Sequence, residues 1–342
     1  MTVKTRKSEL FRHPSVNRSN TMTKSNSINK ETAKDKFAAL ADQIEALFLS
    51  GNWKIPFGAA RPHRNAATGK RYNGINAFIL THLANEHGFK SREWATFNQI
   101  KSKGWSVVKG QKGSPVEFWS TLQDKETKKP VLNENGKEIW FSKYFTVFNL
   151  DQCVDADGNP IISQELMVLP DLAEQQQTCY SLAEKMGVKV VHHHESGRAF
   201  YVPSKHEVHL PVPEEFHSEV GYINTLLHEL GHATHRFVRP DWKKDVFGSI
   251  DYAKEEVVAE LTAVLASSMF GVEKIPLESH ADYIYGWLQA SKEDSKTFFK
   301  TALKEASKAA FFMWDQLHPE ETSVVSVPTD TSESTSDELV SA

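Results

Sequence analysis

Two histidines and a glutamate with fixed spacing are the residues of this 342-residue chain best suited to chemistry. They lie in the segment His228-Glu229-Leu230-Gly231-His232, an H-E-x-x-H pattern. On an α-helix, residues four apart share one face, about one turn above each other. Both imidazoles can therefore reach one zinc ion, while Glu229 can act as general base on a zinc-bound water.

A helix must hold this motif. Apolar residues recur at helical spacing from Glu214 to Phe237, and Pro213 and Pro240 bound the segment. Gly231 costs a helix about 1 kcal/mol relative to Ala, so close approach of another element or of a substrate is expected there. The alternative is an ordinary helix with two structural histidines.

Catalytic zinc usually takes three protein ligands and a water, so a third ligand is needed. His235 lies about 10 Å along the helix axis from His228, too far for ligands within about 2.1 Å of one ion. A second helix, predicted at Tyr252–Phe270, carries Glu256 and Glu260 four apart on one face. We expect Glu256 to bind the metal and Glu260 to orient a ligand histidine, with the reverse assignment left open.

The residues around these two helices predict a compact metal-binding domain. Its other expected elements are a helix at 171–187, strands at Val188–Val191, Ala199–Val202 and Glu207–Leu210, and a last helix at Ser295–Leu317. A hairpin is predicted across Ser196-Gly197. His192, His193 and His194 are interpreted as a turn without metal, because a strand would point them to alternate faces.

The first half of the chain is basic. Between Gly51 and Ser120 there are 11 Lys and Arg but 3 Asp and Glu, a net charge of +8, whereas the whole chain carries −4. This asymmetry indicates a polyanionic partner. Aromatic residues are interleaved with the basic ones, as in proteins that bind single-stranded nucleic acid by stacking, and no duplex-reading signature is visible. The alternative is that the aromatics form a core, and at least half of them are expected to be buried. The candidate nucleic-acid-binding residues are Trp53, Arg64, Lys70, Arg71, Tyr72, Trp94, Lys109 and Lys112.

The same region predicts an α+β domain. The expected helices are Thr32–Leu49, Gly74–Glu86 and Arg92–Ser102, and the expected strands are Val107–Val108, Pro115–Trp119 and Phe141–Phe148.

Several segments, in this order, resemble the ArdC antirestriction proteins. They are Asn65–Asn76, Trp94–Gln99, Val108–Gly113, Val147–Gln152, His228–His232, Tyr252–Glu260 and Tyr283–Leu288. The resemblance runs from about residue 33 to residue 316. It implies an α+β fold of two domains, an N-terminal α+β single-stranded-DNA-binding domain and a C-terminal zincin-like metallopeptidase domain. Such proteins are carried by plasmids and other mobile elements and protect incoming DNA from restriction, and related N-terminal domains occur in conjugative primase-like proteins.

Composition suggests the domain boundaries. The expected segments are a disordered basic arm at 1–31, a single-stranded-DNA-binding domain at 32–154, a linker at 155–169, a zincin-like domain at 170–318 and a disordered acidic tail at 319–342. The chain shows no secretory h-region and no apolar run of membrane-spanning length. Its two cysteines, Cys153 and Cys179, lie outside any paired metal motif. These features predict a reduced, cytoplasmic protein.

Together these observations predict an antirestriction protein that binds single-stranded DNA and carries a zinc metallopeptidase-like domain. In that domain His228, His232 and Glu256 would hold Zn2+, and Glu229 would polarise the water that attacks a peptide carbonyl of a protein substrate. Two alternatives stay open. One is a pure single-stranded-DNA-binding protein with structural zinc, and the other is a peptidase effector delivered into recipient cells.

Overall fold

Three small sheets and the helices around them position the residues singled out above. The structure, a computed structural model, describes residues 32–49, 61–124, 126–161, 171–194, 197–241, 249–272 and 295–322. The predictions for the arm at 1–31, for Trp53 and for Tyr283–Leu288 lie outside the described residues, as does most of the predicted linker.

In its described residues, the first half combines three helices with a four-stranded sheet. The helices are α1 (Ala33–Leu49), α2 (Ile75–His87) and α3 (Phe97–Ser102). The strands are β1 (Arg64–Asn65), β2 (Glu93–Thr96), β3 (Ser106–Val107), β4 (Ser114–Thr121), β5 (Trp140–Asn149) and β6 (Cys153–Val154). The main sheet has the order β1-β2-β5-β4, and β3 pairs with β6 in a separate antiparallel ribbon.

Packing and side-chain hydrogen bonds fix α1 and α2 against this sheet. Phe37 and Ile44 of α1 are buried, and the Phe37 ring meets Tyr144 of β5 edge-on at 5.3 Å. The Asn76 amide at the start of α2 bonds the backbone of Glu117 twice, at 2.6 and 2.9 Å. A buried amide whose donor and acceptor both have partners holds two elements in one register.

The predicted helix at Arg92–Ser102 is wrong in its first half. Residues 93–96 form β2, in which Trp94 pairs with Asn149 and Thr96 with Val147 of β5. The helix begins only at Phe97, after Thr96, whose side chain accepts a hydrogen bond from the Gln99 N–H in a capping box. The apolar pattern of residues 93–96 is compatible with a helix or a strand. Pairing with the distant strand β5 makes these residues a strand.

The second half packs helices against a three-stranded sheet. The helices are α4 (Leu172–Lys185), α5 (Glu219–Ala233), α6 (His235–Val238), α7 (Ile250–Phe270), α8 (Ser295–Leu317) and α9 (Pro319–Thr322). The strands are β7 (Lys189–His193), β8 (Phe200–Val202) and β9 (Glu207–Pro211), in the order β7-β9-β8. One-turn 3-10 helices lie at Leu150–Gln152 and Pro213–Glu215.

The predicted hairpin across Ser196-Gly197 is wrong, because β9 lies between β7 and β8. The antiparallel neighbours are β8 and β9, and His206 in the turn between them has a φ of 57°. His192 and His193 also belong to a strand rather than a turn. Their rings diverge as expected for a strand, His192 toward the Tyr222 hydroxyl at 2.9 Å and His193 toward His209 at 2.7 Å.

The helix of the H-E-x-x-H motif is shorter than predicted. It begins at Glu219 rather than Glu214, because the side chain of Ser218 accepts a hydrogen bond from the Gly221 N–H and caps it. Pro213 belongs instead to a single 3-10 turn. Helix α5 ends at Ala233, and the short helix α6 begins at His235. Arg239 directly follows α6 and so lies just beyond the motif.

The described residues from Ala33 onward group into one compact unit, and a single cluster of buried apolar residues runs through both halves. Helix α8 contributes to both parts of that cluster. Its Asp315 accepts a 2.6 Å hydrogen bond from Arg71, and its Ser307 hydroxyl accepts one from the Gly74 N–H. None of the described helices is both long and apolar enough to cross a membrane.

Candidate metal centre and nucleic-acid interface

Helices α5 and α7 approach each other closely at Gly231. A Cβ atom there would lie 3.2 Å from the backbone oxygen of Ala259 and 3.4 Å from Thr262. The expectation that another element lies close to this glycine is therefore confirmed. The close crossing brings the first turns of α7 over the two histidines of α5.

Glu256 is the carboxylate that meets both histidines. Its oxygens lie 3.4 Å from Nε2 of His228 and 3.6 Å from Nε2 of His232, and the three candidate ligand atoms all lie within 4.8 Å of one another. Ligands about 2.1 Å from a tetrahedral ion are about 3.4 Å apart, so this spacing fits a divalent cation. His235 contacts the backbone oxygen of His232 through Nδ1, away from the cluster.

Two further carboxylates contact the opposite side of each imidazole. Glu260 lies 3.1 Å from Nδ1 of His228, and Glu255 lies 3.2 Å from Nδ1 of His232. A carboxylate at Nδ1 fixes the tautomer whose Nε2 lone pair is free to bind a metal, and it strengthens the histidine as a ligand. Glu256 thus lies at the Nε2 atoms of both histidines and Glu260 at Nδ1 of His228, and their roles as metal ligand and orienting residue stay predictions.

Sequence reasoning missed Glu255 and Arg239. The guanidinium of Arg239 donates two hydrogen bonds to the Glu255 carboxylate, one of them at 3.0 Å. The Glu255-Glu256 pair in a largely apolar helix was a signal for Glu255, since adjacent positions on a helix can face two histidines from different angles. Arg239 follows α6 and gives no such signal in the sequence.

The charges of the cluster favour a dication. The carboxylates of Glu229, Glu255, Glu256 and Glu260 are all buried, and Arg239 contributes one positive charge against them. Buried carboxylates are stable when they are paired or coordinate a metal. The donor set of two imidazoles and one carboxylate is also that of known catalytic zinc sites.

Without a metal, protons take its place in this network. Burial opposes a charge on His228, but hydrogen bonds to Glu256 and Glu260 outweigh it and raise the pKa of His228 to about 9. The pKa of His232 is also raised against the effect of burial, here by Glu255 and Glu256. The pKa of Glu256 is lowered, because hydrogen bonds from both histidines dominate over burial. Metal binding must therefore displace protons from the histidines.

Glu229 is buried on the helix α5 between the two histidines. Burial raises the pKa of its carboxyl group, while the charges of the histidines and the backbone of Tyr201 act in the opposite direction. Tyr201 belongs to β8, which is an edge strand of its sheet. The candidate base therefore sits between the candidate metal ligands and a strand edge.

The predicted nucleic-acid-binding lysines are exposed, whereas the predicted arginines have partners within the protein. Lys70, Lys109 and Lys112 are exposed to solvent. Arg64 pairs with Glu93 at 3.1 Å, and Arg71 pairs with Asp315 of α8. The ring of Phe311 also lies 5.7 Å from the Arg71 guanidinium.

Tyr72 and Trp94 are core residues rather than base-stacking residues. Their exposed fractions are 2% and 0%, so neither ring offers a face to a nucleotide. The Trp94 indole donates a hydrogen bond to Nδ1 of His63 at 2.8 Å, and the Tyr72 hydroxyl accepts one from Asn65. The exposed large aromatic side chains of the described first half are instead Phe97, Phe118, Trp119 and Trp140.

Two family models match the chain. One describes the N-terminal domain of the anti-restriction factor ArdC and matches residues 30–148. The other describes a zincin-like metallopeptidase and matches residues 178–304, which include both the H-E-x-x-H motif and Glu256.

Curated relatives match over most of the chain. A DNA primase TraC from Escherichia coli is 34% identical over 288 residues, or 77% of this chain. The chain spans only 25% of that protein's length and 19% of a second TraC protein. The uncharacterized protein y4eC from Sinorhizobium fredii (strain NBRC 101917 / NGR234) is 30% identical over 299 residues, which cover 84% of this chain and 94% of y4eC.

The structure is similar to that of a solved antirestriction protein. The metal-free crystal structure of ArdC from plasmid R388 has 30% sequence identity and a TM-score of 0.60, and the match covers 83% of this chain and 98% of that chain. The Mn(II)-bound structure of the same protein matches with 29% identity and a TM-score of 0.58, over 84% of this chain and 98% of that chain.

Proposed function

The chain belongs to the ArdC family of antirestriction proteins and has its two-domain fold, and we propose that it protects the DNA of a mobile element from restriction in a recipient cell. In this proposal the N-terminal domain binds single-stranded DNA. The C-terminal zincin-like domain holds Zn2+ through His228, His232 and Glu256 and acts as a metallopeptidase.

The observation that carries the enzymatic part is the placement of Glu229 beside a cluster suited to a divalent cation. A dication held there would polarise a carbonyl oxygen and lower the pKa of a water molecule. The Glu229 carboxylate would accept the proton of the attacking water and later deliver it to the leaving amine. Burial raises the pKa of Glu229 and so strengthens it as the base that takes up this proton.

Strand β8 supports a peptide as the substrate. It lies at the edge of its sheet, and the backbone of Tyr201 within it reaches the Glu229 carboxylate. An extended peptide can add to such an edge through main-chain hydrogen bonds. A peptide bound in this way would present its carbonyl groups close to the base.

Two substitutions of Glu229 test the proposal. Glu229→Gln is expected to abolish hydrolysis of a general peptidase substrate such as casein while the bound metal, measured by elemental analysis, stays at the wild-type level. Loss of the metal instead would contradict the role of Glu229 as a base. Because the solved relative has been observed with Mn(II), the assay is run with Zn2+ and with Mn2+.

An antirestriction assay distinguishes the main alternative. Cells carrying a type I or type II restriction system receive unmodified DNA together with the wild-type protein or with Glu229→Ala. Reduced protection by the variant supports the enzymatic proposal. Full protection by Glu229→Ala would support a protein that acts by binding DNA alone.

A further inference from the structure

The segment from Phe97 to Gly113 is the most uniformly positive stretch of the described first half. It holds Lys101, Lys103, Lys109 and Lys112 and no Asp or Glu. All four lysine side chains are exposed. By contrast, the segment 119–140 has four Lys and four Asp plus Glu, so its charge is balanced.

The neighbouring carboxylates are held by backbone groups. Asp151 accepts hydrogen bonds from the N–H groups of Lys90 and Ser91, and Asp155 accepts them from the N–H groups of Asp157 and Asn159. A carboxylate used in this way is less available to pair with a surface lysine. Among the described residues, none of the four lysines forms an ion pair with these or other carboxylates.

Two aromatic rings lie among these lysines. Phe97, the first residue of α3, is 56% exposed. Trp105 is partly buried against Ile100, and the ammonium group of Lys103 lies 5.0 Å from its ring centre. An open ring flanked by cations is the combination with which proteins stack bases and track a phosphate backbone.

Hydrogen bonds hold this surface in a fixed shape. The Thr96–Gln99 capping box sets the start of α3. The buried Gln152 side chain donates to the backbone carbonyl of Lys112 at 2.9 Å and to the Gln111 side chain at 3.0 Å, and the backbone carbonyl of Gln152 accepts from the Val108 N–H. A preformed surface loses little conformational entropy when a ligand binds.

A third segment adds to the same surface. The Asn65 amide donates to the Gln99 side chain at 3.0 Å, and its oxygen accepts from the N–H groups of Ala67 and Thr68. The loop that ends at the exposed Lys70 is thereby held beside the start of α3. Lys70 thus adds a further exposed positive charge from the loop that is tied to α3.

We propose that this basic platform, formed by Phe97, Trp105, Lys101, Lys103, Lys109 and Lys112, is the surface on which single-stranded DNA lies. The inference rests on the proposed function, which places single-strand binding in the N-terminal domain without locating it. The lysines contact phosphates, and the open ring of Phe97 stacks on a base. Duplex DNA lacks unstacked bases and gains only the phosphate contacts.

The test measures binding of the full-length protein to a fluorescein-labelled dT20 oligonucleotide by fluorescence anisotropy. Phe97→Ala is expected to weaken binding about 5- to 150-fold, the range for losing one stacked base. The variant K101Q/K103Q/K109Q/K112Q is expected to reduce the slope of log K against log salt by about 3, since each single-strand phosphate contact contributes about 0.7. Phe97 is exposed, so its replacement leaves the core intact.

The β4–β5 hairpin provides matched controls. Trp119 and Trp140 are 60% and 55% exposed and lie in the charge-balanced segment. The variant W119A/W140A removes exposed aromatic area of the same kind, and K128Q/K129Q/K137Q removes a similar number of lysines. Both are expected to bind dT20 within twofold of the wild type.

Three outcomes separate the platform from the broader proposal. Weakened binding by the platform variants, with unchanged hairpin variants, supports the platform. A wild type that binds dT20 while the platform variants bind equally well, or while the hairpin variants lose binding, overturns the platform and leaves the proposed function standing. A wild type that fails to bind dT20 overturns both.

Discussion

Replacing Glu255 by Gln tests whether the carboxylate behind His232 sets the metal affinity of the site. Glu255 contacts Nδ1 of His232 at 3.2 Å, and Arg239 donates two hydrogen bonds to the same carboxylate. Gln keeps the size and one oxygen acceptor but removes the charge that strengthens the imidazole as a ligand. The variant should therefore bind the metal more weakly while all three candidate ligands remain present.

The structure also bounds the size of the effect. Loss of such an outer carboxylate lowers metal affinity about 10- to 100-fold, or about 1.4–2.7 kcal/mol. We expect a value near tenfold, because Arg239 already neutralises part of the charge on Glu255. The buried guanidinium then faces a neutral amide, so the free energy of unfolding of the metal-free protein should fall by about 1–3 kcal/mol.

The assay is competition for Zn2+ and for Mn2+ against a chromophoric chelator, with circular dichroism to verify folding. Asp251→Asn is the matched control. It removes a carboxylate from the same helix, four residues before Glu255, where the side chain is 72% exposed. A folded Glu255→Gln variant that binds the metal within twofold of the wild type would refute the reasoning, as would an equal loss in Asp251→Asn.

Three other substitutions test packing, contacts between the halves and pH dependence. Gly231→Ala should lower the melting temperature despite its better helix propensity, because the new Cβ would press on the backbone of Ala259, and a cost of about 1–3 kcal/mol is expected. Arg71→Ala should lower the free energy of unfolding by about 1–2 kcal/mol through loss of its ion pair with α8, whereas Lys70→Ala, its exposed neighbour, should change it little in denaturant titrations. Burial and a nearby arginine keep the pKa of His63 well below 6.5, so the unfolded chain takes up a proton that the folded chain refuses as the pH falls through 6.5. The stability advantage of the wild type over His63→Gln should therefore shrink between pH 7.5 and pH 5.5, and an unchanged difference would contradict the shift.

The long helices were predictable from the sequence because their signal is local. The predicted helix at Ser295–Leu317 has the observed bounds, and the helix predicted from Thr32 begins one residue later. Periodic apolar residues specify such a helix whatever packs against it. The prediction for residues 93–96 is wrong because their signal is not local. They form a strand through pairing with β5, about 50 residues away in the sequence.

The candidate metal site was predictable to the extent that one helix defines it. The spacing of His228 and His232, and of Glu256 and Glu260, follows from the helical repeat alone. The contact of Glu255 with His232 instead depends on how α5 and α7 cross at Gly231. The contact of Arg239 with Glu255 depends on the interruption of the helix at Thr234. The spacing of residues along the sequence predicts neither the helix crossing nor the interruption of the helix.

In the first half, lysines and arginines differ in how accessible their charge is to DNA. Three of its arginines are engaged internally, Arg64 with Glu93, Arg71 with α8 and Arg92 with the buried His63, whereas Lys70, Lys90 and the platform lysines face solvent. A guanidinium suits a fixed partner, and an ammonium group is more strongly hydrated. The net charge of +8 therefore overstates what a polyanion can reach. The six exposed lysines among the described residues between Gly51 and Ser120 predict a slope of log K against log salt near about −4.2 for single-stranded DNA, where eight contacts would give about −5.6. A measured slope of −5 or steeper in the same anisotropy assay would show that cations other than these lysines also contact phosphate.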